Sequence, residues 1–345
     1  MNLFLDDSSC RESLFPFTHT RHVADIRVGI LTIRQKWEQL SQLPVITNPA
    51  LKTKDSIIIP AHILPAKNTV TGIIKASEDQ TPILENEEIK MLHHPWQIYQ
   101  FNDWAIRQDF ENITSNRNSL SVSATNQCIN QENIFIEEGA IVEHCILNAS
   151  TGPIYIGKNA QVMEGSLIRG PFSAGEGSVL KMGSKIYGAT TVGPYCVAGG
   201  EIKNTVLFGY SNKAHDGYLG DSVIGEWCNL GAGTSNSNVK NTGGEVKYFI
   251  DADMNPVVAG NKAGLLMGDY SRCAINTSFN TGTVVGVCCN IFEGMPGKYV
   301  HHFSWGQDRY IFEKALTDIS NWKKMKGHEL TIKETEKLKE LYLTI

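Results

Sequence analysis

No apolar run in this sequence reaches the roughly 18 residues that a membrane-spanning helix needs, so no membrane partner is expected. No basic surplus is present either. Thirty-one Lys and Arg stand against 36 Asp and Glu, a formal net charge of -5. Without a basic footprint, a nucleic-acid partner is not expected. No CxxC pair occurs; Cys10, Cys128, Cys145, Cys196, Cys228, Cys273, Cys288 and Cys289 are scattered. That distribution suits a reduced, cytoplasmic chain. The opening MNLFLDDSSCRE has no basic n-region and carries acids early, which argues against a secretory signal.

What is present is a strict period. From Ile156 to Ala198 every sixth residue is apolar or small: Ile156, Val162, Ile168, Ala174, Leu180, Ile186, Val192 and Ala198. A mostly small set, among them Ala160, Ser166, Ser178, Ser184 and Cys196, recurs four residues after each. Neither helical nor alternating patterning accounts for this. Hexapeptide repeats of this kind mark a parallel β-helix, in which one residue per hexad points into the shaft. Earlier hexads begin near Ile134, at Ile136 and Val142. Later ones return at Ile224, Leu230, Phe279, Val285 and Ile291, with interruptions at Asn148–Pro153, Asn204–Gly217 and Asn241–Asn261. Interruptions of a solenoid project as loops, and such loops commonly carry function.

A chain of 345 residues has room for a domain before the shaft. Residues 1–128 read as α/β. A short strand is expected at Asn2–Leu5, with a second short apolar run at Ser56–Ile59, closed by Pro60, and a third at Val70–Ile74. Helices are expected over Ile26–Leu40 and from near Pro95 to Phe110, and a linker over Asn112–Gln127. The shaft occupies 129–300. Residues 301–345 hold two helices, Tyr310–Trp322 and Thr331–Tyr342, the second opened by Thr331 and Glu334 at capping-box spacing. They are expected to cap the open end of the shaft.

Only His144 and His215 lie between Ile134 and Gly297. Two distant histidines do not make a zinc site, and no metal is expected in the shaft. His215 stands in the loop SNKAHDGYLGD. That loop, followed by Asn229-Leu230-Gly231-Ala232-Gly233-Thr234 and Asn238, resembles the acetyltransferase half of the GlmU family. The likeness covers most of the chain. It is nearest to a divergent group of GlmU-like sugar nucleotidyltransferases from Bacteroidetes, on LFPFTHTRHVADIRVGILTIR, GSLIRGPF, VIGEWCNLGAGT and FNTGTVVGV. The resemblance implies a left-handed β-helix, a homotrimer, and acetyl-CoA as co-substrate. His215 falls on the family's catalytic base, Glu201 on the acid that orients it, and Asn238 on a further catalytic asparagine. Lys185, Lys203, Tyr218 and Asn229 fall on substrate contacts. Ala232, Thr281 and Gly282 fall on the cofactor side. The family's next substrate lysine meets Gly244, with Lys240 or Lys247 nearby, and a cofactor-side serine meets Asp269, an acid ill suited to an anionic donor.

The chemistry suits these residue types. A histidine accepts a proton from an amine attacking a thioester. A carboxylate fixes its tautomer, an amide or backbone N–H meets the oxyanion, and lysines meet a phosphate. In the front half the resemblance is to a sugar nucleotidyltransferase whose phosphate loop has decayed. Leu5–Arg11 has no glycine, although Leu14, Pro16, Phe17, Thr18 and Arg21 remain. The sugar-side lysine is missing around His22–Ala24, and the segment between Ile74 and Leu92 is short. Asp6 and Asp7 could hold Mg²⁺ only if that domain were active. The reading is therefore a truncated nucleotidyltransferase-like domain, inactive in nucleotidyl transfer. It precedes a shaft that N-acetylates an amino-sugar phosphate. The alternatives are UDP- or dTDP-sugar formation by the front half, or a non-catalytic trimeric scaffold.

Overall fold

The computed structural model describes residues 1–250 and 255–344. It shows an N-terminal α/β unit, a left-handed parallel β-helix of about ten turns, and two C-terminal helices. Among the described residues no helix is long and apolar enough to cross a membrane. All eight cysteines are free thiols.

The front unit is built on strand Asn2–Asp6, which lies between Val45–Ile46 and Ser56–Pro60 in a parallel sheet of three. The helix expected from Ile26 begins only at Ile33, opened by a capping box of Thr32 and Gln35. The cause is Asp109. Its carboxylate accepts the backbone N–H groups of Ile30 (2.8 Å) and Leu31 (3.0 Å) and pairs with buried Lys36. Those N–H groups are thereby withdrawn from helical bonding. The apolar run at Val70–Ile74 is not a strand but opens the helix Val70–Glu78. Its spacing of Val70, Ile73 and Ile74 is helical, and Val70 and Ile73 are buried. Helix Asn102–Thr114 takes the first residues of the expected linker.

The shaft begins one strand before Ile134, at Gln127–Ile129, which pairs with Ile146–Asn148. The hexad residues are its core: Ile156, Val162, Ile168, Leu180, Ile186 and Val192 are all 2 % exposed or less. One face carries Ile154–Ile156, Phe172–Ala174 and Thr190–Val192. The second carries Gln161–Val162, Val179–Leu180 and Val197–Ala198. The third carries Leu167–Arg169, Lys185–Tyr187, Glu201–Lys203 and Tyr218–Gly220.

Across Asn204–Gly217 the shaft is shortened, not interrupted. Ile156 pairs with Ala174, 18 residues on, but Val192 pairs with Leu207 and Ala198 with Lys213, both 15 residues on. The shift puts Lys213, 1 % exposed, at an inward position. The last interruption is a real insertion. Its strands Val246–Phe249 and Pro256–Gly260 form an antiparallel hairpin.

The first face is covered by the front unit, whose core continues through Val206, Phe208, Val223, Leu266 and Val284 of the shaft. At the corner between the first and second faces, successive turns place Tyr195, Tyr210, Trp227, Tyr270, Cys288 and Phe303, each at positive φ. Tyr210 stacks on Trp227 at 4.3 Å and on Tyr195 at 5.2 Å. Helices Phe312–Met325 and Ile332–Leu343 pack along this aromatic corner. They lie beside the shaft, where the sequence suggests a plug across its end. A short hairpin, Ser304–Trp305 with Asp308–Arg309, follows the last turn. The aromatic corner, rather than an exposed shaft end, supplied the apolar surface these amphipathic helices cover.

Candidate active site on the third face

His215 sits on the corner that joins the second face (Asn212–Lys213) to the third (Tyr218–Gly220). Its side chain is exposed. The loop is held from inside. The buried Lys213 ammonium donates to the carbonyls of His215 (2.5 Å) and Asp216 (3.3 Å). Burial, only partly offset by nearby Asp216, pushes Lys213 down to about 8. The hexad pattern gave no warning of this lysine, because the shortened turn is invisible without the strand register.

On one side of His215 an open groove of about 560 Å³ runs between the shaft and the first C-terminal helix. Asn212, Asn229, Ala232 and Ile275 line it from the shaft, and Trp322, Met325 and Lys326 from the helix. Lys326 anchors the helix here, donating to the carbonyls of Tyr195 and Tyr210 (2.9 Å each) and to Asn212 Oδ1 (3.0 Å). Sequence reasoning found Asn229 and Ala232 but missed the helix wall, which only folding brings there.

On the other side lies the third face, which neither the front unit nor the tail helices cover at Lys185, Tyr187 and Lys203, all exposed. Lys185 pairs in register with Glu201, and Glu201 with Tyr218. Three expected site residues thus form one outward column on successive turns. Lys203 stands two residues along the strand from Glu201, facing the same way. Tyr218 receives a hydrogen bond from Asn238 Nδ2 at 3.0 Å. The same Asn238 amide also donates to Asp221, so both its hydrogens are engaged and a backbone N–H is the freer oxyanion donor.

Not every expected contact forms. Histidine ion pairs occur at His22–Asp7 and His93–Glu85; among the described residues His215 makes none, with Glu201 or otherwise. Thr281 and Gly282 are separated from Ala232 by the third-face strand Ser278–Phe279. Gly282 lies against the Val246–Phe249 strand instead, its amide bonded to Ala263 O at 3.0 Å. Asp269 does not face a donor site at all. It is 3 % exposed and pairs with Arg21 of the front unit, while accepting the Glu226 N–H at 2.8 Å.

In the front unit the acidic strand end is already occupied. Asp7 receives Arg11 (2.8 Å), the Val23 N–H (3.2 Å) and His22 (3.2 Å). Burial raises its pKa, but these partners outweigh it and hold Asp7 at about 2. Arg21 is buried under the ring of Phe208 and is taken up by Asp269 and Glu226.

Residues 2–89 match a sugar nucleotidyl transferase family model. The chain is 28% identical over 229 residues to a bifunctional sugar-1-phosphate nucleotidylyltransferase/acetyltransferase of Sulfurisphaera tokodaii, covering 64% of this chain and 49% of that protein. It is 22% identical over 263 residues to the bifunctional protein GlmU of Methanococcus maripaludis, covering 70% of this chain and 57% of that one. A shorter match, 35% over 89 residues, is to GlmU of Methanocaldococcus jannaschii, covering 26% of this chain and 21% of the relative. The chain spans about half the length of the longer matches among these curated relatives. Family model and relatives together support a GlmU-like family for the chain.

Proposed function

We propose that this GlmU-like protein is an acetyl-CoA-dependent N-acetyltransferase acting on an amino-sugar phosphate. The observation that carries the reading is the position of His215. It is an exposed imidazole on a corner, with an apolar-walled groove on one side and a cationic open face on the other. The donor would lie in the groove past Asn229 and Ala232, its thioester reaching the corner. The acceptor would lie on the third face, its phosphate between Lys185 and Lys203 and its ring against Tyr218. His215 would take the proton from the attacking amine, and Glu201 would stabilise the imidazolium from the neighbouring turn. The pairing of Asp269 with Arg21 removes the objection that an acid faces the anionic donor. Acetyl-CoA incubated with amino-sugar phosphates and followed by mass spectrometry tests the reading; no acetylated product from any of them would refute it.

The front unit would act as a docking domain, without nucleotidyl transfer. Supporting this are the glycine-free Leu5–Arg11 loop, the saturated Asp7 and the buried Arg21. The assembly would be a homotrimer in the cytoplasm. The third face carries exposed Ile129 (51 %), Ile146 (40 %) and Leu167 (45 %) near the start of the shaft, an apolar strip suited to a second copy.

A further inference from the structure

We infer that the acceptor is a nucleoside-diphosphate-linked amino sugar, with the nucleotide held beyond Lys203 by Arg169, Tyr187 and Lys262. The inference rests on the acetyltransferase reading for the direction in which the acceptor lies. The third-face strands are three residues wide, about 10 Å at ~3.3 Å per residue. His215 is on one edge. On the other edge a cavity of 500 Å³ is lined by Arg169, Tyr187, Lys203 and Lys262. A smaller one of 290 Å³ adjoins it through Arg169 and Tyr187 and reaches Lys185, its far wall being Ile146 and Leu167 of the strip assigned above to a second copy. A sugar 1-phosphate with its amine at His215 engages Lys185 and Lys203 and ends there. Arg169, Tyr187 and Lys262 are left over.

Those three are arranged for a longer ligand. Tyr187 pairs in register with Lys203, and Arg169 lies one residue past the Ile168–Ile186 pair, so an exposed ring stands between two cations on successive turns. Tyr187 is 43 % exposed, and among the described residues the side chains of Arg169, Lys203 and Lys262 make no hydrogen bond or ion pair, the bonds of Thr205 and Tyr99 to Lys203 and Lys262 being to backbone carbonyls. The acids lining the cavity are both committed: Asp103 to Arg107 at 2.6 Å, and Asp221 to Asn204 and Asn238. The cations are therefore free for phosphate oxygens, and the ring for stacking on a base.

Calorimetry on the full chain tests this without needing turnover. UDP-N-acetylglucosamine or dTDP-glucose should bind about tenfold or more tighter than N-acetylglucosamine 1-phosphate, as expected for extra charge-assisted contacts. Tyr187→Ala and Arg169→Ala, both at exposed positions that should leave folding intact, should each erase most of that preference. Equal affinity for the monophosphate, no binding of either nucleotide sugar, or a preference unchanged in both variants would overturn the inference. If nucleotide sugars bind as stated but no amino sugar is acetylated, the nucleotide-sugar site stands, while the acetyltransferase reading and with it the acceptor role fall.

Discussion

Arg21 of the front unit and Asp269 of the shaft, 248 residues apart in sequence, form a buried ion pair that joins the two domains. Glu226 adds a second carboxylate at 3.2 Å, and the Phe208 ring covers the guanidinium at 4.9 Å. Arg21 belongs to the stretch that resembles a nucleotidyltransferase motif. In this fold it serves docking.

Removing one member of such a pair leaves the other charge buried. Asp269→Ala or Arg21→Ala should therefore cost about 3–5 kcal/mol in chemical denaturation. Arg21→Met with Asp269→Leu should cost less than the sum of the single changes. Purely additive losses would show that the pair is not coupled.

The front unit should release no pyrophosphate from UTP or dTTP with Mg²⁺ and a sugar 1-phosphate. Backbone N–H groups of a glycine-rich loop normally meet the nucleotide phosphates. Here that loop has no glycine, and Asp7 is saturated by Arg11, His22 and Val23. Pyrophosphate formed above the no-protein background would contradict the docking role.

Lys213 should leave a signature in alkaline stability. Its folded value is about 8, below the ordinary 10.5. Between those values the unfolded chain binds a proton that the folded chain has released, so this group makes stability rise with pH across the window. At lower pH the buried charge opposes folding. Melting curves of wild type and Lys213→Met should thus converge or cross between pH 7 and 10, with wild type gaining. Parallel pH profiles would mean that Lys213 titrates normally.

Much of this was legible in the sequence because a hexad repeat is a statement about burial. Ile156 to Ala198 told which side chains face inward, and the loop around His215 stood out against that rhythm. What stayed hidden depended on register or on distant contacts. The loss of three residues between Val192 and Leu207, relative to an 18-residue turn, turned Lys213 inward. In the sequence Asp269 falls at a donor site because nothing local marks its partner, Arg21, 248 residues away. The periodicity starts the first helix too early because the bonds of Asp109 to Ile30 and Leu31 are tertiary. The sequence places the tail helices at the shaft end because the corner column Tyr195–Tyr210–Trp227 is not a contiguous motif.

His215→Ala should abolish acetyl transfer while sparing the fold. The side chain is exposed, and the Lys213 bond is to its backbone carbonyl, so stability should move by no more than about 0.5 kcal/mol. A positioned base contributes about 10²–10⁴-fold in rate. Glu201→Gln should lower turnover less, because the carboxylate acts on the imidazolium and not on the substrate. Lys203→Ala should raise KM for the phosphorylated acceptor with little change in kcat, as expected of a contact made equally in ground and transition states. Asn238→Ala separates two roles. If the amide serves the oxyanion, kcat falls; if it only braces Tyr218 and Asp221, as its hydrogen bonds suggest, KM rises instead. Should His215→Ala keep more than about a tenth of the wild-type rate, the corner histidine is not the base.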